Sequence, residues 1–319
     1  MRAYEVHSHS EHPKVVNLPL PEPLEGQFRL KICACGLNFA DLLMQRGTYQ
    51  DTPELPFVAG MEVAGIVDAL GPGATGLRVG DRVAVFGGQG GLAEYGCFET
   101  DRAVGLPDSM SFEEAAAFQI AYGTSHVALD YRARLQPGET LLVLGAAGGV
   151  GLTAVEIGKL MGAKVIACAR GAEKLEVAKA AGADHLIDAK SEDIREVVRS
   201  LGGADVVYDP VGGEQWEAAF RASNPDARLL PIGFASGDVP KIPANHMLVK
   251  NLTVIGVYWG GYLKYKPSVV TDSLKTLFGW YEAGKLKPHV SHTLPLEDAA
   301  EGMELLRSRK STGKVVITP

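Results

Sequence analysis

Two hydrophobic rhythms divide this chain. From the N-terminus to about residue 105, apolar side chains recur every second position in short runs: Phe28, Leu30 and Ile32 alternate with Arg29 and Lys31. Pro19, Pro21 and Pro23, and glycines such as Gly60, Gly65 and Gly80, break the runs. That pattern predicts half-buried strands joined by turns. A short helix is expected from Asn38 to Gly47, and Ser111 with Glu114 gives the capping-box spacing of another that reaches Ala128 or Leu129. From Gly138 the rhythm changes. Continuous apolar runs (140–144, 164–170, 185–187, 205–209, 228–233, 252–258) alternate with segments of helical period. Six strands with crossover helices predict a doubly wound parallel sheet. After it come a helix over 268–281, a helix from about 295 to Arg307 and a last strand at Lys314–Ile317. The expected fold class is therefore α/β: a six-stranded parallel domain (121–258) inserted into a β-rich domain (1–120) that the chain returns to complete (259–319). The apolar run at 252–258 would form the sheet edge and offer a surface to a second copy of the chain.

The most informative stretch runs from Thr140 to Arg170. An apolar strand meets Gly145-Ala-Ala-Gly148-Gly149-Val-Gly151, and a helix with Val150, Ala154, Ile157 and Leu160 on one face follows. Glycine at 148 lets a backbone approach a pyrophosphate, and glycine at 151 lets the helix pack closely on the strand. The helix start then presents free N–H groups to phosphate. The first glycine of the usual G-x-G-x-x-G is replaced by Ala146, so the turn is a variant. An NAD-selective site places an acid about twenty residues beyond the glycines. Here Arg170 and Lys174 stand near that place, which favours the 2′-phosphate of NADPH.

Composition narrows the class. The 319 residues are 46% hydrophobic and 22% charged, with net charge −7 and a pI near 5.7. No long basic run points to nucleic acid. The start of the chain shows no charged-then-apolar leader, and no apolar stretch reaches the ~20 residues of a spanning helix. Four cysteines at 33, 35, 97 and 168 are expected to be reduced, in a cytoplasmic setting. A Cys33-x-Cys35 pair without a second Cys/His pair is a poor zinc site.

The sequence words Asn38-Phe-Ala-Asp41, Gly47-Thr-Tyr49, Gly60-Met-Glu-Val-Ala-Gly65, Ala146-Ala-Gly-Gly-Val-Gly151, Asp209-Pro-Val-Gly-Gly213 and Gly313-Lys-Val-Val resemble those of the medium-chain dehydrogenase/reductase superfamily. The branch they resemble is the zinc-free quinone oxidoreductases, zeta-crystallin among them. The resemblance implies a GroES-like catalytic domain carrying an inserted Rossmann domain, and NADPH as cofactor. Zinc alcohol dehydrogenases have ligands where this chain has Asn38 and Met61, so no metal is expected; Glu62 is then structural. By the same resemblance Asn38, Asp41 and Tyr49 are the candidate catalytic residues, with Asn38 and Tyr49 as oxyanion donors. Thr124, Ala147, Gly148, Gly149, Val150, Arg170, Lys174, Gly233 and Phe234 are the candidate cofactor contacts. Some members hold the adenosine with an aromatic residue near the third strand's end, where this chain has Asp188. The implied acceptor is a small quinone. The alternatives are a 2-enal, 2-enone or enoyl-thioester reductase, and, in another class, an NADPH-binding crystallin-like or RNA-binding protein without turnover. No strong basic cluster marks a thioester's phosphates in the sequence; Arg221 and Arg228 are sparse.

Overall fold

A computed structural model describes all 319 residues. The chain forms two compact units, Met1–Ile120 with Pro288–Pro319, and Ala121–Lys287.

The first unit is built on strands. β1 (Arg2–Val6) lies between β2 (Lys14–Asn17) and β4 (Phe57–Val58) in a three-stranded sheet. The larger sheet uses β3 (Gln27–Gly36), β5 (Glu62–Leu70), β6 (Arg82–Phe86), β7 (Tyr95–Glu99), β8 (Ala103–Gly105), β15 (Val290–Pro295) and β16 (Lys314–Thr318). Its order is β15-β16-β3-β5-β6-β8, with β7 also paired to β3. The alternation along β3 sends Phe28, Leu30 and Ile32 into a core shared with Val63, Val85, Leu92 and Phe98. β3 and β5 approach so closely that a Cβ on Gly65 would stand 2.1 Å from the Lys31 carbonyl oxygen, which fixes glycine there. Three helices belong to this unit: α1 (Phe39–Gln45), α2 (Phe112–Ala116) and α11 (Ala299–Arg307). Ser111 and Glu114 form the capping box of α2.

The second unit is a parallel sheet of β9 (Thr140–Leu144), β10 (Lys164–Ala169), β11 (His185–Asp188), β12 (Ala204–Asp209), β13 (Ser223–Pro231) and β14 (Thr253–Val254). The order β11-β10-β9-β12-β13-β14 is the doubly wound arrangement, reversing direction between β9 and β12. Leu141–Leu144 are buried on both faces, as helix-covered parallel strands require. α4 (Gly149–Leu160), α5 (Ala172–Ala180), α6 (Ile194–Ser200), α7 (Gly213–Ala222) and α8 (Ala244–Lys250) connect the strands. α3 (Gln119–His126) leads in and ends in a π-helical turn at Val127–Arg132.

Two expectations need correction. The chain does not return to the first unit at 259. α9 (Tyr262–Tyr265) and α10 (Ser268–Glu282) stay with the second unit. Specific contacts hold them: His126 Nδ1 meets Ser273 Oγ at 2.9 Å, His126 stacks edge-on against Trp280, and Tyr131 packs edge-on against Tyr262. The edge strand is also shorter than the apolar run 252–258. It pairs only through Arg228↔Thr253 and Leu229↔Val254. β13 ends at Pro231, which has no N–H to extend the ladder.

Candidate active site and cofactor cradle

The cradle begins where β9 ends. Gly145 takes φ +58°, so the tight turn rests one residue earlier than the Ala146 position that the motif suggests. The Ala146 N–H is anchored on the Cys168 carbonyl at 3.0 Å, and the Gly148 N–H returns to Gly145 O at 2.9 Å. Gly148 is the N-cap of α4, in extended conformation and without a side-chain cap. The N–H groups of Gly149, Val150 and Gly151 therefore open the helix with no acceptor inside it. A Cβ on Gly151 would stand 2.2 Å from Gly145 O, whereas one on Gly148 would stand 3.4 Å from that atom. Gly151 is needed for helix–strand packing, and the exposed Gly148 keeps the approach open. Ala147 is buried behind it. This geometry fits a pyrophosphate.

A polar network unseen in the sequence supports the cradle. Ser125 Oγ lies 2.8 Å from Thr153 Oγ1 and 2.9 Å from Tyr208 Oη, and donates to Val150 O at 2.9 Å. Thr153 Oγ1 donates to Ala121 O at 3.0 Å. α3 is thereby tied to the first turns of α4; Thr124 is buried next to Ser125 on α3.

At the end of β10, Arg170 is exposed and Lys174 half-buried in the first turn of α5. Asp188 is occupied elsewhere. Its Oδ1 accepts from the N–H groups of Gly171 and Lys190, each at 3.0 Å, and these bonds hold its carboxyl below the usual range. Sequence reading missed Lys190, whose Nζ would lie 3.6 Å from a Cβ on Gly171. Arg170 and Lys174 stand on either side of Gly171 along the chain, and Lys190 reaches the same glycine from the next strand's end. Gly233 and Phe234 follow β13; the Gly233 N–H bonds to Asp209 O at 3.3 Å and Phe234 is exposed.

In the first unit the structure joins Asn38 and Asp41 and adds two residues to them. Asn38 is the N-cap of α1, with Asp41 at N3 in a capping box. Asp41 Oδ2 accepts from the Asn38 N–H at 2.8 Å. Asn38 Oδ1 accepts from Lys314 Nζ at 2.7 Å, and Lys314 Nζ also donates to Glu62 Oε1 at 2.5 Å. Asn38 Nδ2 donates to Gly36 O at 3.1 Å and Glu62 Oε1 at 3.3 Å; Glu62 Oε2 accepts from the Ile120 N–H at 2.8 Å. Both Asn38 amide hydrogens are therefore engaged inside the unit. Gly36 makes the room, since a Cβ there would meet the Ala116 carbonyl oxygen at 1.9 Å. Asp41 is 1% exposed and its Oδ1 has no hydrogen-bond partner. Burial pushes its carboxyl up to about 7, with Glu62 adding to the rise, while the Asn38 N–H, Lys314 and the Gly60 N–H oppose it. Met61 is part of the hydrophobic core. Tyr49 stands in the bend after Gly47, its ring half-buried against that core, and its carbonyl accepts from Thr52 Oγ1 at 2.7 Å. Sequence reading did not assign Lys314 a role, although Gly313-Lys314 was among the family-like words.

The second unit also gathers a basic cluster that the sequence scatters. Arg195, Arg199, Arg221, His246 and Lys250 line one small basin against α6, α7 and α8. It is a feature of the helix layer and not of the glycine turn.

Comparison with known proteins places this architecture. Residues 24–108 match the family model of the alcohol dehydrogenase GroES-like domain, and residues 149–275 that of the zinc-binding dehydrogenases. The chain is 41% identical over 298 residues to a quinone oxidoreductase-like protein 2 homolog of Nematostella vectensis, covering 92% of this chain and 81% of that protein. It is 33% identical to the human synaptic vesicle membrane protein VAT-1 homolog, over 94% of this chain and 80% of that one. The crystal structure of Escherichia coli quinone oxidoreductase complexed with NADPH superposes with a TM-score of 0.92 at 31% identity, over the whole of both chains. The protein belongs to the quinone oxidoreductase branch of the medium-chain dehydrogenase/reductase superfamily, and is an oxidoreductase by that membership.

Proposed function

We propose that this chain is an NADPH-dependent, zinc-independent reductase that passes hydride to a quinone. The observation that carries the reading is the turn from Gly145 to Gly151, where an exposed Gly148 opens a helix whose first N–H groups have no internal acceptor. The NADPH in related solved structures supports the choice of nucleotide. Ala147, Gly148, Gly149 and Val150 would hold the pyrophosphate, and Thr124, Gly233 and Phe234 would bound the rest of the cofactor. Arg170, Lys174 and Lys190 favour a 2′-phosphate by their charge, and Asp188 Oδ1 is already engaged by two backbone N–H groups.

NADPH, when bound, supplies the hydride. One proton must join it for a quinone to become a hydroquinone. Asp41 suits that role: its carboxyl is buried, has one unpartnered oxygen, and holds a proton close to neutral pH. The Tyr49 hydroxyl is the donor assigned to the developing oxyanion. Asn38 would have to release its 3.3 Å bond to Glu62 before it could share that task, so its leading role is to fix Asp41.

A homodimer through the short edge at β14 fits the reading. The paired strand there is short: it ends at Val254, with the Ile255 N–H still bonded to Leu229 O at 2.8 Å. Purified protein assayed with NADPH and NADH against quinones, enals, enones and enoyl thioesters tests the assignment. The quinone reading requires quinones to give the highest kcat/KM, and Tyr49→Phe to lower it. Faster reduction of an enal or enoyl thioester transfers the assignment to that class. NADPH binding with no turnover on any acceptor would favour a binding protein.

A further inference from the structure

The chain's last strand carries a buried charge into the Asn38–Asp41 cluster, and the fold takes specific steps to put it there. Gly313 enters β16 at φ +54°, where a Cβ would meet the His289 carbonyl oxygen at 2.3 Å. The Lys314 N–H bonds to that carbonyl at 2.9 Å, and Leu37 N–H bonds to Val315 O at 2.9 Å. These contacts lay the start of β16 beside the end of β3, so Lys314 reaches across Gly36 to Glu62, the residue that faces Gly36 in the β3–β5 register. Lys314 is 5% exposed and Glu62 fully buried. Such a pair pays a desolvation cost that a hydrophobic pair would not, so stability alone is a weak account of it.

We propose that Lys314 and Glu62 are positioning residues for the reduction, holding the Asn38 amide and the Asp41 carboxyl as one proton-delivering unit at the start of α1. This rests on the reductase reading above. Lys314 fixes which way the amide faces, because an ammonium can only donate and therefore selects Oδ1. Nδ2 is then turned toward Gly36 O and Glu62. The Asn38 N–H in turn holds Asp41 Oδ2 and leaves Oδ1 for the proton. The groups that face Asp41 are few: Lys314 from β16, Glu62 from β5, the Cys35 thiol from β3, and the N–H groups of Asn38 and Gly60. One cation is set among acids, so removing either member of the pair must change how tightly Asp41 holds its proton.

The test is the titration of Asp41 in the full chain, read by carboxyl-carbon NMR and by the pH profile of kcat/KM. Lys314→Met should move the Asp41 midpoint up, and Glu62→Gln should move it down, each by about one pH unit or more. The double variant should return it toward the wild-type value. At pH 7, Lys314→Met should lower kcat/KM for the acceptor roughly ten- to a hundredfold with KM for NADPH unchanged, and Lys314→Arg should recover part of the loss. Single variants that fold yet leave the midpoint in place overturn the proposal. If Lys314→Met does not fold, Glu62→Gln and the double variant decide it. Should no acceptor be reduced by the wild type, the reductase reading fails, while the NMR titration still reports whether the pair controls Asp41.

Discussion

Lys314 Nζ sits 2.5 Å from Glu62 Oε1 in the interior of the first unit, joining residues 252 positions apart in the chain. The contact ties the returning C-terminal strand to the strand that faces Gly36, and Asn38 Oδ1 shares the same ammonium. Much of the candidate chemistry therefore depends on a residue that lies almost at the end of the chain.

Breaking this pair from one side leaves a buried charge unpaired. Lys314→Met should cost about 3–5 kcal/mol of stability, and the double variant Glu62→Gln/Lys314→Met clearly less than the sum of the two singles. Urea denaturation of the four proteins at pH 7 measures the coupling.

Asp41 gives stability a definite pH dependence. Its folded-state carboxyl is raised from 3.8 to about 7. The folded chain thus keeps a proton that the unfolded chain releases, so the contribution is complete below pH ~4, falls as pH rises toward 7, and is flat above. The full change is ~4 kcal/mol from the width of that window. Asp41→Asn should lack this slope, making the variant more stable relative to wild type at pH 8 than at pH 4. Equal differences at the two pH values would remove the assignment.

The two glycines at the start of α4 should respond differently. Gly151→Ala puts a methyl group 2.2 Å from Gly145 O, and should lower Tm and weaken NADPH together. Gly148→Ala meets only an ordinary contact at 3.4 Å, so it should fold nearly as well as wild type while binding NADPH more weakly. Thermal melts beside a fluorescence titration separate the two effects.

Nucleotide choice should reside in the corner after β10. Lys174→Ala with Lys190→Ala should raise KM for NADPH roughly ten- to a hundredfold, the worth of a charge-assisted hydrogen bond or two, and leave KM for NADH almost unchanged. Parallel loss for both nucleotides would place the 2′-phosphate elsewhere.

The sequence made the second unit easier to read than the first. Its apolar runs, its glycine cluster and the helix that follows are all local signals, and they appear in the structure as β9, the turn and α4. The register of a residue within a turn is a finer matter: Ala146 marked the motif, but the positive φ belongs to Gly145. The extent of the edge strand was hidden because β pairing depends on the neighbour, and here Pro231 limits it. Helix 268–282 has an amphipathic face that sequence can find, whereas the short helix 262–265 has none; which unit they cover is decided by His126, Tyr131 and other distant partners. Asn38 and Asp41 were legible as a helix start three residues apart. Lys314 and Glu62 were not, since neither position shows that its charge is buried until β3, β5 and β16 are side by side. Lys190 escaped for a similar reason, lying beside Gly171 only once β10 and β11 pair.

The most direct measurement is stopped-flow oxidation of NADPH by excess benzoquinone, after exhaustive dialysis against a strong chelator, for wild type and Gly148→Ala side by side. The account predicts that chelation leaves the wild-type rate intact and that the variant is slowed in proportion to its weaker NADPH binding. Failure of the wild type to bind NADPH, or loss of turnover on chelation that added zinc restores, would contradict it.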